Sequence, residues 1–84
     1  MQIELIVESM LLPRLPDGQR LELPDGATAA DAVAAMEQQG LTGSRTAAEV
    51  LSSHMLLCNS RHCQGDAVLH DGDRLILMKT LLGG

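Results

Sequence analysis

The chain has 84 residues, 45% of them hydrophobic, and it contains no Phe, Tyr or Trp. A chain of that length is expected to form one domain, and without aromatic residues its core must be aliphatic. The absence of aromatic rings also argues against a surface on which nucleic-acid bases stack. The formal net charge of −5 would repel a phosphate backbone, so the expected partner is a basic protein surface and not nucleic acid.

The first residues and the hydropathy of the chain bear on its location. Residues 1–8 contain two glutamates and no basic residue, which is not the composition of a secretory signal. No apolar run approaches the length of a membrane span. We therefore expect a cytoplasmic protein without a membrane partner, in which Cys58 and Cys63 stay reduced.

A β-hairpin is predicted at the start of the chain. Apolar residues alternate through residues 3–8, a period that is typical of a strand with one face toward the core. Residues 11–18 hold two prolines and an Asp-Gly pair, which predict a loop and a reversal. Residues 19–23 alternate again, so they should pair antiparallel with the first strand.

Residues 29–39 are predicted to form the main helix. Thr28 and Asp31 have the spacing of a capping box, and Gly40 stands where a left-handed C-terminal cap is favourable. The apolar residues of this segment recur at helical spacing and form one stripe: Ala29, Ala32, Val33 and Met36. This alanine-rich stripe would allow the helix to lie close to a sheet.

A short helix and one further strand are predicted next. Thr46 and Glu49 repeat the capping-box spacing, so a short helix is expected to begin there. Residues 55–58 form an apolar run that predicts a strand, and Asn59 and Ser60 suit the turn after it.

The last part of the chain predicts the central strand of the sheet. Residues 67–69 are a weaker strand candidate, and residues 71–73 predict a tight turn. The near-continuous apolar run of residues 74–78 is typical of a strand buried on both faces. The complete order predicts an α+β domain over residues 1–79, a ubiquitin-like β-grasp with a mixed four- to five-stranded sheet packed on one main helix plus a short helix. Residues 80–84 are predicted to form a flexible C-terminal tail ending in Gly-Gly.

Four short motifs give nearly the whole chain a resemblance to a known family. They are LPDGAT at residues 23–28, NSR at 59–61, LHDGD at 69–73 and the glycines at 83–84. In this order and spacing they resemble the small sulfur carriers of molybdopterin and thiamine biosynthesis, the MoaD/ThiS group. Residues 75–84 lack the proline and aromatic residues often found before the glycines of the molybdopterin carriers and look more like the thiamine type, so the pathway stays open.

The resemblance implies a chemistry for Gly84. A ThiF/MoeB-like adenylating enzyme would use ATP to join the Gly84 carboxylate to AMP, because a free carboxylate is a poor electrophile. A persulfide sulfur donor would then replace AMP and leave a thiocarboxylate, which a sulfur-accepting synthase would consume. The chain itself would be a carrier or the small subunit of a synthase, not an enzyme, and would bind no cofactor of its own.

The residue types of the tail suit this role for a physical reason. Glycine has no Cβ, so Gly83 and Gly84 could pass a narrow channel that leads to a nucleotide. The residues that thread this channel or contact the partner would be Thr80, Leu81, Leu82 and Gly83. The two leucines would bind an apolar groove on the partner. Two other functions stay open: a ubiquitin-like modifier conjugated through Gly84 to a lysine of a target, and a non-covalent β-grasp docking module.

Four residues within ten positions invite a metal-site interpretation: His54, Cys58, His62 and Cys63. The Cys-x4-Cys spacing is not one of the tight knuckle spacings. The favoured interpretation therefore puts Cys58 on a strand as a small apolar residue, with His62 and Cys63 in the loop after it. Neither a metal site nor a cysteine nucleophile is predicted, and His70 beside Asp71 is interpreted as part of a turn.

Overall fold

The computed structural model describes residues 1–79, and residues 80–84 lie outside that description. Within residues 1–79 the elements are β1 (Gln2–Glu8), β2 (Arg20–Glu22), α1 (Ala29–Gln38), α2 (Ala47–Ser53), β3 (Met55–Cys58), β4 (Arg61–Cys63) and β5 (Arg74–Met78). The sheet has the order β2-β1-β5-β3-β4. β1 and β5 are parallel, and the other neighbouring strands are antiparallel. β5 therefore lies at the centre of the sheet, as predicted.

One face of the sheet packs against α1 and forms the core. Alternate residues of the two central strands are buried on this face, as the period of a strand requires: Ile3, Leu5, Leu75 and Leu77. The predicted helix stripe is buried against them, and α2 adds Val50. The intervening strand residues, among them Ile6, Leu57 and Ile76, are only half-buried. They define the second face of the sheet, termed the open face.

Local signals in the sequence set the ends of both helices. Thr28 caps α1 in a capping box that it forms with Asp31, and Thr46 forms the same arrangement with Glu49 at α2. Each box satisfies backbone N–H groups that have no partner inside the helix. Gly40, with φ at +77°, follows the last turn of α1 in the left-handed conformation that glycine adopts easily. These predictions are confirmed.

Three predictions about the second half of the chain are wrong. β5 is buried on one face only, because Ile76 and Met78 are half-buried on the open face, which no helix of the described residues covers. His62 and Cys63 lie in β4 and not in a loop, because Asn59 and Ser60, with φ of +52° and +69°, close a two-residue hairpin. Residues 67–69 form no strand. They contribute one isolated bridge, between Thr28 and Val68, because the chain turns away on both sides of it. Neither helix of residues 1–79 is long and apolar enough to cross a membrane.

Candidate functional site

The carboxyl end of β5 is the part of the sheet from which the chain continues toward Gly84. β1 and β5 are parallel, so both end at the same edge. The N–H of Lys79 donates to the C=O of Glu8 at 3.0 Å, and Met78 lies opposite Met55, the first residue of β3. We term this edge, with Glu8, Met55, Met78 and Lys79, the exit edge.

An apolar surface adjoins the exit edge on the open face. Ile6, Ile76 and Leu57 are direct neighbours in register across three strands, and each is half-buried. Met78 and Met55 form the next row toward the exit edge, where Met55 is 42% exposed. On the side away from the exit edge, the next row of the open face is an ion pair between Arg74 Nε and Glu4 Oε1, at 2.9 Å. The open face thus combines an apolar centre with a charged border.

The loop after β1 carries two further exposed apolar residues. Met10 is 88% exposed and Leu11 is 36% exposed, values far above those of the core. Leu12, the next residue, turns inward and is buried, which anchors the loop. The Nε of Arg45 also donates to the C=O of Leu11 at 3.0 Å. Two apolar side chains are therefore held in solvent beside the exit edge by a loop that is itself fixed.

His54 joins this loop to the helical layer, a role that the sequence did not indicate. Its Nε2 lies 2.7 Å from Ser9 Oγ, and its Nδ1 lies 3.0 Å from the C=O of Val50. Because a carbonyl can only accept, Nδ1 carries the proton and Nε2 accepts from the Ser9 hydroxyl. Burial lowers the pKa of His54, and the positive charges of Lys79 and Arg45 lower it further, against the Val50 bond, which raises it. The neutral ring is the form that this site holds.

This site predicts a pH dependence of stability. The unfolded chain has an ordinary histidine pKa near 6.5, whereas the pKa of native His54 is lower. As the pH falls through that window the unfolded state takes up the proton first, so the free energy of unfolding decreases. Urea unfolding at about pH 7.5 and about pH 5.5 measures the loss. His54→Gln should have a lower free energy of unfolding than wild type at high pH, but this free energy should decrease less on acidification. His62→Gln, at an exposed histidine, should show the same decrease as wild type. If the free energy of unfolding of His54→Gln decreased as much as that of wild type, His54 would not be the source of the pH dependence.

The two cysteines are partly buried neighbours and not an exposed reactive pair. Cys58 lies opposite Arg61 and Cys63 lies opposite Leu56, so the two thiols are diagonal across the hairpin, and both pack against the core. Burial raises the pKa of both thiols, and the negative Asp73 adds to the effect at Cys58. Among residues 1–79, no group of three or more side chains is placed to hold a metal ion.

Asp73 holds the hairpin turn onto the start of β5. Its carboxylate accepts from Asn59 Nδ2 at 2.9 Å and from the N–H of His70 at 2.8 Å, and Asn59 Oδ1 in turn accepts from the N–H of Arg74. The Asn59 bond is the main cause of the lowered pKa of Asp73. Asn59, His70 and Asp73 therefore serve the fold, at the end of β5 opposite to the exit edge.

The site residues predicted from the sequence lie outside the described residues: Thr80, Leu81, Leu82, Gly83 and Gly84. The structure instead describes the exit edge, which precedes them in the chain, and the open face beside that edge. No pattern in the sequence indicates the Ser9–His54 bond, because its partners are 45 residues apart. The sequence did hold a signal for the open face, since Ile6, Leu57 and Ile76 are apolar at positions where strand alternation expects polar residues.

The strand order, the parallel central pair and the single main helix define a ubiquitin-like β-grasp, as the sequence predicted. The chain is similar to SAMP1 from Haloferax volcanii, whose crystal structure matches with a TM-score of 0.75 over 100% of both chains at 19% sequence identity. No protein-family model matches the chain, and no curated protein matches its sequence. At this identity the similarity confirms the fold alone.

Proposed function

We propose that this chain is a sulfur carrier. The carboxylate of Gly84 is adenylated and then converted to a thiocarboxylate that donates sulfur in the biosynthesis of a cofactor such as molybdopterin or thiamine. The position of β5 carries the proposal, because the strand that precedes the two glycines is paired on both sides, with β1 and with β3. Five residues span at most about 18 Å from Lys79, enough to bring Gly84 to a nucleotide while the domain stays outside the pocket.

The chemistry requires three partners. On a ThiF/MoeB-like adenylating enzyme the carboxylate oxygen attacks the α-phosphate of ATP, and pyrophosphate leaves. The terminal sulfur of a donor persulfide then attacks the acyl carbon, AMP leaves, and a thiol cleaves the new S–S bond to free the thiocarboxylate. A synthase accepts the sulfur. The chain contributes the acyl group and a docking surface, so it acts as a co-substrate and not as an enzyme.

The open face supports this role as the docking surface for the adenylating enzyme. Its apolar row of Ile6, Ile76 and Leu57 is continuous with the exit edge, so a partner seated there would also receive residues 80–84. Glu8 is exposed at the exit edge, and the net charge is −5. A partner with an apolar centre and a basic rim fits these features.

The lysine content favours a carrier over a modifier that builds chains on itself. An acyl-adenylate reacts with amines as well as with sulfur nucleophiles. The sequence contains one lysine, Lys79, and it is half-buried at the exit edge. Few amines of the chain itself therefore compete for the Gly84 carbonyl. Residues 1–78 contain no lysine that could attack the activated Gly84 of a second copy.

Intact-mass analysis tests the proposal directly. The chain with Cys58→Ser and Cys63→Ser is produced together with a ThiF/MoeB-like enzyme from the same genome, ATP and a persulfide donor, and is then treated with a thiol-directed alkylating reagent. Alkylation is needed because oxidation of any of the five methionines gives nominally the same mass change as replacing oxygen by sulfur. A label that maps to Gly84 is the expected result.

Two other results would support the competing functions. Higher-mass conjugates that disappear on deletion of Gly84 would identify a protein modifier. Complete absence of adenylation and label, with the enzyme active on its own cognate carrier, would leave a docking module and reject the carrier proposal.

A further inference from the structure

The methionines of the chain fall into two groups that differ in access to solvent. Met10 is 88% exposed and Met55 is 42% exposed, whereas Met36 is fully buried in the core. Met1 and Met78 are intermediate. An oxidant dissolved in water therefore reaches the thioethers of Met10 and Met55 before that of Met36.

The two exposed methionines each follow one partner of a single hydrogen bond. Ser9 Oγ and His54 Nε2 are 2.7 Å apart, and Met10 and Met55 directly follow these two residues in the sequence. Met55 belongs to the exit edge and Met10 follows Glu8, the last residue of β1, by two positions, so both lie near that edge although they are 45 positions apart in the chain. Met78, opposite Met55 in register, completes a surface rich in thioethers beside the start of residues 80–84.

The cysteines are poor competitors for an oxidant. Peroxide reacts with thiolates and not with neutral thiols. Cys58 and Cys63 are both partly buried against the core, and burial raises the pKa of each, so both remain protonated near neutral pH. The exposed sulfur of this protein thus belongs to methionine.

We propose that Met10 and Met55 form an oxidation site for hydrogen peroxide that controls access to the exit edge. Each thioether sulfur attacks one peroxide oxygen, the O–O bond breaks, and the products are a methionine sulfoxide and one water molecule. The sulfur is oxidised by two electrons and the peroxide is reduced by two. A thiol-dependent methionine sulfoxide reductase reverses the change.

The consequence for docking follows from the chemistry of the sulfoxide. Methionine is apolar and adapts its shape to a partner, and its sulfoxide is polar and strongly hydrated. Two sulfoxides on the apolar surface beside the open face would have to be desolvated when the adenylating enzyme binds. This part of the inference rests on the proposed function, whereas the selectivity of oxidation does not.

The test uses the full chain and dilute hydrogen peroxide. Peptide mapping over time should show oxygen added first at Met10 and Met55 and last at Met36, with both thiols still titratable and the melting temperature unchanged.

Adenylation of the oxidised wild-type chain should fall at least about tenfold, and treatment with methionine sulfoxide reductase and dithiothreitol should restore it. Met10→Leu combined with Met55→Leu keeps an apolar surface whose two most exposed positions cannot be oxidised, so its adenylation should respond far less to peroxide than that of wild type. Met36→Leu, the matched control, should respond like wild type.

Three results would overturn the proposal: oxidation of Met36 at the same rate as Met10, loss of the thiols before the thioethers, or unchanged adenylation of the doubly oxidised chain. Adenylation of the unoxidised chain is measured first. If it is absent, the proposed function fails on its own, and peptide mapping alone decides whether Met10 and Met55 are the oxidation site.

Discussion

Gly83→Val is expected to lower the rate of adenylation at Gly84 by at least about 100-fold, because displacement of a reacting group by about 1 Å in an active site costs that much. A Val side chain adds a branched Cβ directly beside the reacting carboxylate and restricts the backbone angles that glycine allows. The substitution leaves the core described for residues 1–79 unaltered, so we expect the melting temperature not to change. Pyrophosphate release by the activating enzyme measures the rate.

Two further variants make this result specific. Thr80→Val changes the same segment by an exchange of nearly equal volume, farther from the carboxylate, and should retain most of the activity. Deletion of Gly84 moves the carboxylate back by about 3.5 Å and should abolish adenylation. If Gly83→Val were adenylated at half the wild-type rate or faster, the channel argument for the two glycines would be wrong, even though Gly84 could still be the acceptor.

Both helices could be predicted from the sequence because their signals are local. Thr28 with Asp31, and Thr46 with Glu49, fix the first turns through bonds between residues three positions apart. Gly40 fixes the end of α1 through its own backbone angle. The central position of β5 was also predictable from the near-continuous apolar run of residues 74–78. The burial of both faces that this run suggested is wrong, because Ile76 and Met78 are only half-buried.

The features that could not be predicted depend on distant residues or on an unusual turn. β4 escaped prediction because Asn59 and Ser60 lack the glycine that normally marks a two-residue hairpin, and because the turn is held by Asp73, 14 residues further on. The Ser9–His54 bond and the grouping of Met10 with Met55 exist only once β1, β3 and α2 are assembled. Such contacts cannot be predicted from a pattern of neighbouring residues.

The two faces of β5 should respond very differently to truncation. Leu77→Ala is expected to reduce the free energy of unfolding by about 2–5 kcal/mol, because Leu77 is fully buried in the central strand. A domain of this size has roughly 4–13 kcal/mol in total, so the variant loses a large share of its stability. Its neighbour Ile76 faces the half-exposed open side, and Ile76→Ala should cost only about 1 kcal/mol. Urea denaturation midpoints measure both.

The pair is matched because Leu and Ile have the same number of carbon atoms and both changes place Ala in the same strand. The greater strand propensity of Ile acts against the expected difference, so a larger loss at Leu77 reports burial. The same variants separate stability from docking. Ile76→Ala removes the middle of the apolar row between Ile6 and Leu57, so it should raise the Kd for the adenylating enzyme about tenfold while the domain stays folded. Leu77→Ala, assayed at a temperature where it is folded, should bind almost normally. If Ile76→Ala destabilised the domain as much as Leu77→Ala, the open face would be part of the core, and the adenylating enzyme would have to dock elsewhere.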